Sequence, residues 1–203
     1  MAWVDQSVRD FIEAVAAATP APGGGSVAAL AAASAAALLQ MYALRSAQSP
    51  KVAPDWRARF PEVACRIAGW KLRALTLVDE DVQAFEAVLE ARRRPQATEA
   101  ERKARTEAIR AATLRAAGVP LEVAELCVQV LQACQELLPH GLASMRSDVQ
   151  TAYYIARAGL AAALANVAIN LEGLEPAAVP EDLRTRYEAA RQALAAVPLD
   201  LPG

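Results

Sequence analysis

The feature that most constrains this chain is a long stretch without charge, because no Asp, Glu, Lys or Arg occurs between Glu13 and Arg45. From Ser26 to Leu44 the stretch is rich in alanine, and a helix of that length is long enough to cross a bilayer about 30 Å thick. It also contains two serines and a glutamine, and it follows a Pro/Gly turn instead of a basic segment. A core helix packed on all sides is therefore the preferred prediction, and a membrane span is the alternative.

The composition extends this prediction to the whole chain. Hydrophobic residues make up 55% of it and aromatic residues only 5%, and alanine is the strongest helix former. No alternating run rich in Val, Ile and Thr is bounded by turns, so no sheet is expected. These patterns predict a single all-α domain over residues 1–203: an antiparallel bundle of about six or seven helices, two of them buried and alanine-rich.

Breaks in the helical periodicity place the helices. In chain order they are predicted at about 5–18, 26–47, 61–93, 98–117, 120–138, 147–171 and a short helix after residue 180. The predicted N-caps include Ser26, Thr98 and either Ser147 or Asp148. Gly118 and Pro120 are predicted to separate the fourth helix from the fifth, because glycine commonly ends a helix and proline commonly begins one.

Charge and cysteine content argue against several classes of protein. The 21 basic and 23 acidic residues are nearly balanced, so no nucleic-acid partner is expected, and the run Arg92–Arg94 is interpreted as a solvated surface. Cys127 and Cys134 are one heptad apart on a predicted helix, about 10 Å, which is too far for a disulfide. The three cysteines and single histidine predict buried free thiols and no metal site. His140 lies in a Pro/Gly turn and is expected to be exposed.

Three segments contain residues suited to ligand chemistry. The turn at Gly23, Gly24, Gly25 and Ser26 allows a close approach to the backbone, and the helix start after it offers unpaired N–H groups to an anion. Taken by itself, this turn is also consistent with a simple capped helix.

The second segment opens at Ser147 and Asp148 and later carries Asn166 and Asn170. The two asparagines are four residues apart and share a helix face. Amides on such an apolar helix require hydrogen-bond partners, which are either neighbouring backbone groups or the polar atoms of a ligand such as a pterin.

The third segment is Asp79-Glu80-Asp81. Three consecutive acids cannot share one helix face, so at least one is expected to point inward, and the apolar residues after Asp81 favour that one. Asp81 is therefore a candidate general acid or base, with a structural role as the alternative.

The chain resembles the family of formiminotetrahydrofolate cyclodeaminase and methenyltetrahydrofolate cyclohydrolase. The matches keep their order and spacing over about residues 7–175. The matching segments are Pro20-Ala21-Pro22-Gly23-Gly24-Gly25-Ser26-Val27-Ala28-Ala29-Leu30, Asp79-Glu80-Asp81 with Ala84-Phe85, Val119-Pro120-Leu121, Ser147-Asp148-Val149, and Asn166-Val167-Ala168-Ile169-Asn170-Leu171.

This resemblance implies an all-helical cytoplasmic homodimer that acts on reduced folates, without membrane, metal or tightly bound cofactor. Family members close 5-formiminotetrahydrofolate with loss of ammonia, or interconvert the methenyl and 10-formyl forms with water. It implies Asp148 as the first and Asp81 as the second candidate for proton transfer. It implies ligand binding by Gly23, Gly24, Gly25, Ser26, Ser147, Asn166 and Asn170.

The chain also departs from the family pattern at basic positions. Gln96 and Ala168 stand where relatives often carry Lys and Arg, and Arg45, Arg94 and Arg146 are the candidates to replace those charges. The losses keep open a second hypothesis, a non-catalytic dimeric helical bundle that binds folate or a protein partner. The sequence alone does not distinguish deaminase from cyclohydrolase.

Overall fold

A computed structural model describes residues 2–201, and every regular element in that range is helical. Six α-helices carry the fold, and short 3-10 turns lie at Trp3–Asp5, Ala143–Met145 and Pro176–Ala178. The α-helices are α1 Val8–Ala16, α2 Gly24–Ala47, α3 Pro54–Arg93, α4 Glu99–Leu137, α5 Arg146–Leu171 and α6 Glu181–Ala196. The predicted all-α bundle is confirmed.

The centre of the bundle is α2, which contacts α3, α4 and α5. Its alanines at positions 29, 35 and 43 are fully buried, since small side chains let neighbouring helices approach closely. The expectation that α2 is packed on all sides is wrong for the single chain, because residues such as Val27 and Met41 remain exposed. By length and composition, α2 and the segment Ala143–Leu171 both pass as candidate membrane spans.

The predicted break between a fourth and a fifth helix is wrong, because α4 continues through Gly118 and Pro120. A proline inside a helix leaves the carbonyl four residues earlier without its N–H partner. Here that carbonyl belongs to Ala116, and the side-chain amide of Asn170 donates to it at 2.9 Å. The replacement bond lets one long helix form where the local sequence indicates two.

Two of the predicted caps are also wrong, whereas Thr98 forms the predicted capping box with Glu101. The N-cap of α2 is Gly23, and Ser26 lies three residues into the helix. The N-cap of α5 is Met145, which places Ser147 and Asp148 in the first turn. The third helix also begins earlier than expected, at Pro54, and Pro61 lies inside it.

The three cysteines are free thiols, and the histidine packs against a tryptophan. Cys127 and Cys134 are buried, and burial raises the pKa of each thiol to about 12. Cys65 is exposed, which corrects the expectation that all three thiols are buried. His140 stacks on Trp56 with 3.8 Å between ring centroids, so its ring packs against the bundle.

Candidate active site

A cleft of about 330 Å³ lies where the start of α2 meets α3, α4 and α5. It brings together most of the residues that the sequence singled out, although they are far apart in the chain. Its lining residues are Pro20, Ala21, Gly23, Gly24, Gly25, Asp81, Phe85, Arg92, Ala116, Asn166, Ile169 and Asn170. Ser26 lies beneath this surface and contacts the cleft through Asp81.

Asp81 is the carboxylate of this cleft. Its Oδ2 accepts a 2.8 Å hydrogen bond from the Ser26 hydroxyl. Burial raises the pKa of Asp81 above the usual aspartate range, and hydrogen bonds from the side chain and backbone of Ser26 partly oppose that rise. A carboxyl group with a raised pKa can exchange a proton near neutral pH more readily than an exposed aspartate can.

The three consecutive acids of α3 point in different directions. Asp79 accepts a hydrogen bond from the backbone N–H of Trp3, and Glu80 pairs with Arg73, which also binds Glu122 on α4. Asp79 and Glu80 are therefore both occupied by structural contacts. Asp81 alone faces the cleft, as its apolar neighbours predicted.

The glycine turn permits this arrangement because Gly25 lacks a side chain. A Cβ at Gly25 would lie 2.1 Å from Asp81 Oδ1, which is far inside van der Waals contact. A Cβ at Gly24 would lie 3.3 Å from the amide nitrogen of Asn166. The turn is thus packed between a carboxylate and an amide. The N–H groups at the start of α2 have no partner within the helix, and they lie beside this carboxylate.

The two asparagines of α5 are held by backbone groups through their amide nitrogens. Asn170 donates to the carbonyls of Ala116 and Asn166, both at 2.9 Å, and Asn166 donates to the carbonyl of Ala162 at 2.9 Å. These bonds satisfy the nitrogens and leave each amide oxygen able to accept a hydrogen bond from a ligand. Each asparagine can therefore stabilise the fold through its nitrogen and bind a ligand through its oxygen.

Arg92, Phe85 and Ile169 line the cleft and were missed by sequence reasoning. Arg92 is exposed, as the sequence predicted, and it also lies in the cleft wall. The sequence spacing could have linked Phe85 and Arg92 to Asp81. The three residues are spaced by four and seven positions and so share one face of α3. A larger depression of about 570 Å³ adjoins the cleft across Pro20, Ala21 and Phe85 and also contains Arg93.

Ser147 and Asp148 are not part of this cleft in the single chain. Asp148 precedes Asn166 by 18 residues on the same helix, which corresponds to about 27 Å at 1.5 Å per residue. Arg45, Arg94 and Arg146 also lie outside the cleft lining. Among the described residues 2–201, no cluster of three or more His, Cys, Asp or Glu side chains is suited to hold a metal ion.

Comparisons with known proteins identify the family that the chain matches. Residues 7–189 match the family Formiminotransferase-cyclodeaminase. The chain is 30% identical to methenyltetrahydrofolate cyclohydrolase of Methylorubrum extorquens over 178 residues, 88% of this chain and 85% of that protein. It is 36% identical to formimidoyltransferase-cyclodeaminase of Rattus norvegicus over 192 residues, 93% of this chain but 35% of the rat protein.

The fold also matches a solved structure. The crystal structure of formiminotetrahydrofolate cyclodeaminase from Thermotoga maritima superposes with a TM-score of 0.83, at 23% identity, over 95% of this chain and 92% of that one. The shared fold therefore extends over nearly the whole of both chains.

Proposed function

Because the chain belongs to the formiminotransferase-cyclodeaminase family, we propose that its cleft binds a reduced folate and transfers protons at the substrate's one-carbon unit. The observation that carries this proposal is the half-buried Asp81 carboxylate, which lies in the cleft with the glycine turn and the two asparagines. The tetrahydrofolate derivative is the substrate, and the proposal includes no tightly bound cofactor.

Both reactions of the family require a group that accepts a proton and then donates it. In the cyclohydrolase reaction, water attacks the methenyl carbon between two nitrogens, a proton leaves the attacking oxygen, and the ring nitrogen that departs gains one. In the cyclodeaminase reaction, a folate nitrogen attacks the formimino carbon and loses its proton, and the formimino nitrogen gains a proton and leaves as ammonia. In this proposal, Asp81 accepts the first proton as carboxylate and delivers it as carboxylic acid.

The remaining groups would hold the pterin. Its ring N–H and amino groups are donors, and the amide oxygens of Asn166 and Asn170 are acceptors at the same cleft wall. Phe85 and Ile169 supply the apolar surface on which a flat ring packs. The adjoining depression lined by Leu89 and Arg93 gives room for the part of the folate beyond the pterin.

The direct test is turnover of both candidate substrates by the purified protein, followed by absorbance. Loss of methenyltetrahydrofolate identifies a cyclohydrolase, and conversion of formiminotetrahydrofolate to methenyltetrahydrofolate identifies a cyclodeaminase. Folate binding without turnover of either compound would support the non-catalytic alternative and contradict the proposal. Neither binding nor turnover would remove folate from consideration.

Arg92 and Arg94 form a matched pair for testing which cation contacts the substrate. Arg92 lies in the cleft wall, whereas Arg94 lines a separate depression between α3 and α4. Arg92→Gln is expected to raise KM about tenfold, equivalent to about 1.4 kcal/mol of lost binding. Arg94→Gln is expected to leave KM unchanged. Steady-state kinetics check both, and equal effects of the two substitutions would argue against the assignment of Arg92.

We place the enzyme in the cytoplasm as a homodimer. The free thiols of Cys65, Cys127 and Cys134 suit a reducing compartment. The exposed apolar residues of α2, including Val27 and Met41, supply a surface for a second copy.

A further inference from the structure

Asn170 is anchored in the cleft wall through its side-chain amide nitrogen. That nitrogen donates to the backbone carbonyls of Ala116 on α4 and Asn166 on α5, both at 2.9 Å. Because both partners are carbonyl oxygens, only the nitrogen of the amide can face them. Asn170 lines the cleft, so its Oδ1 is the atom that remains available to a ligand there.

One of the two acceptors is available because of a proline. In a regular α-helix, the carbonyl of residue 116 accepts the backbone N–H of residue 120. Residue 120 is Pro120, which lies inside α4 and has no N–H. The proline ring also crowds the carbonyl four residues earlier and pushes it away from the helix axis. The Ala116 carbonyl is thus left without its usual helical partner at the place where α5 brings Asn170.

Pro120 is an unfavourable residue for the interior of α4. Proline lowers helix stability more than any other residue type, and Pro120 is buried inside the bundle. A second helical proline, Pro61 in α3, is exposed, so solvent can bind the carbonyl that it frees. The carbonyl freed by Pro120 instead meets a side chain of another helix. Pro120 therefore disfavours its own helix and supplies an acceptor to α5.

The orientation of the Asn170 amide decides which polar group the cleft wall offers. In the observed orientation the amide offers an acceptor, whereas rotation by half a turn about its last side-chain bond would offer donors. That torsion is intrinsically broad, so the side chain alone does not fix it. The Ala116 carbonyl fixes it, because the rotated amide would place oxygen against oxygen and lose both 2.9 Å bonds.

We propose that Pro120 is a positioning residue for the ligand: by freeing the Ala116 carbonyl, it holds Asn170 as an acceptor toward the donor groups of the bound ring. Pro120 is not among the residues that line the cleft, so it acts through Ala116 and Asn170. This role rests on the proposed folate function, in which the ring N–H and amino groups of the pterin are the donors.

A double-mutant cycle tests the coupling without any folate. Asn170→Ala leaves the Ala116 carbonyl without a protein partner and is expected to lower the thermal unfolding midpoint. In a Pro120→Ala background the N–H of residue 120 binds that carbonyl, so the same substitution is expected to lower the midpoint much less. Asn166→Ala is the matched control, because its amide binds the Ala162 carbonyl and its cost is expected to be equal in both backgrounds. Equal costs of Asn170→Ala in the two backgrounds would overturn the proposal.

The anchored amide has a spectroscopic signature. The side-chain amide protons of Asn170, assigned in NMR spectra by their loss in Asn170→Ala, are expected to be protected from exchange with water in the wild type. In Pro120→Ala they are expected to exchange faster, because the Ala116 carbonyl is then bound within its own helix. Unchanged protection in Pro120→Ala would show that the proline does not hold the amide.

The effect on the ligand is expected in KM and not in kcat. Pro120→Ala is expected to raise KM about tenfold, the usual weight of one hydrogen bond. The kcat is expected to change little, because Asn170 binds the ring equally in the ground state and the transition state. Gly118→Ala is the matched control in α4, since an added Cβ there would meet nothing within 4 Å, and it is expected to leave KM unchanged. A lower kcat at unchanged KM in Pro120→Ala would contradict the positioning role.

A second substitution separates the restored N–H from the lost volume. Pro120→Ala shrinks a buried side chain, whereas Pro120→Val restores the N–H and keeps the site filled. Both are expected to raise KM, and a wild-type KM in Pro120→Val would assign the effect to packing and overturn the proposal. If the wild-type protein turns over neither folate, the proposed function fails, whereas the mutant cycle and the amide exchange still decide whether Pro120 holds Asn170.

Discussion

Asp81→Asn is expected to lower kcat about 10²–10⁴-fold, the usual contribution of a positioned acid or base. Asparagine has nearly the same shape as aspartate and retains an oxygen that can accept the Ser26 hydrogen bond. It cannot take up and release a proton in this reaction. The fold and dimer are therefore expected to persist, which circular dichroism and native mass check, while turnover is lost.

The pH profile gives a second readout of the same substitution. Burial raises the pKa of Asp81, and removal of a proton from water requires its carboxylate form. The kcat/KM of the wild type is expected to fall as pH decreases through this raised pKa, above the range of an ordinary aspartate. An Asp81→Asn variant with wild-type kcat, or one whose remaining activity keeps the acidic limb of the wild type, would remove Asp81 from the mechanism.

The same pKa shift predicts the stability of the variant. A carboxyl group whose pKa is raised by folding favours the folded state fully at low pH, and this contribution is lost as pH rises through the folded-state pKa. Ionisation of Asp81 in the folded state therefore costs stability. The unfolding free energy of Asp81→Asn, from urea titrations at several pH values, is expected to decline less than that of the wild type as pH rises.

Gly25→Ala is expected to have the second large effect, with activity lowered about 100-fold by displacement of a catalytic group. The added Cβ would lie 2.1 Å from Asp81 Oδ1 and 2.6 Å from Asp81 Cγ. Either the carboxylate or the start of α2 must move, and each movement breaks the contact with Ser26. Overpacking of this kind costs about 1–3 kcal/mol of stability.

Gly69→Ala is the matched control, because Gly69 lies within α3 and an added Cβ would meet nothing within 4 Å. Replacing an open helical glycine by alanine is expected to raise stability by about 0.5–1 kcal/mol. Thermal unfolding and turnover of both variants complete the comparison. If Gly25→Ala behaves like Gly69→Ala, the close packing of the turn against Asp81 is not required for activity.

Much of the candidate site was predictable because its residues belong to short sequence patterns that keep their order along the chain. The glycine turn, Asp81 and the two asparagines were all singled out from sequence, and the cleft contains them. Arg92 was missed because a run of three arginines at a helix end usually marks a solvated surface. Only the position of α3 against α2 shows that one of the three lines the cleft.

Other errors came from contacts between distant parts of the chain. Pro120 predicted a helix break, but the amide of Asn170, 54 residues away in sequence, restores the missing hydrogen bond at Ala116. Ser26 was predicted to cap its own helix, but its hydroxyl binds Asp81, 55 residues away. In each case a tertiary hydrogen bond replaced the local one that the sequence pattern favours.

By itself, the sequence of this protein determined the helical class, the central place of α2 and the family, because helix propensity, uncharged periodicity and motif order are properties of the chain alone. The tertiary structure decided which polar groups meet. It brought Asp81, the glycine turn and Asn166 into one cleft and set Asp148 at the far end of α5, because a hydrogen bond or a cleft requires proximity that local sequence does not specify.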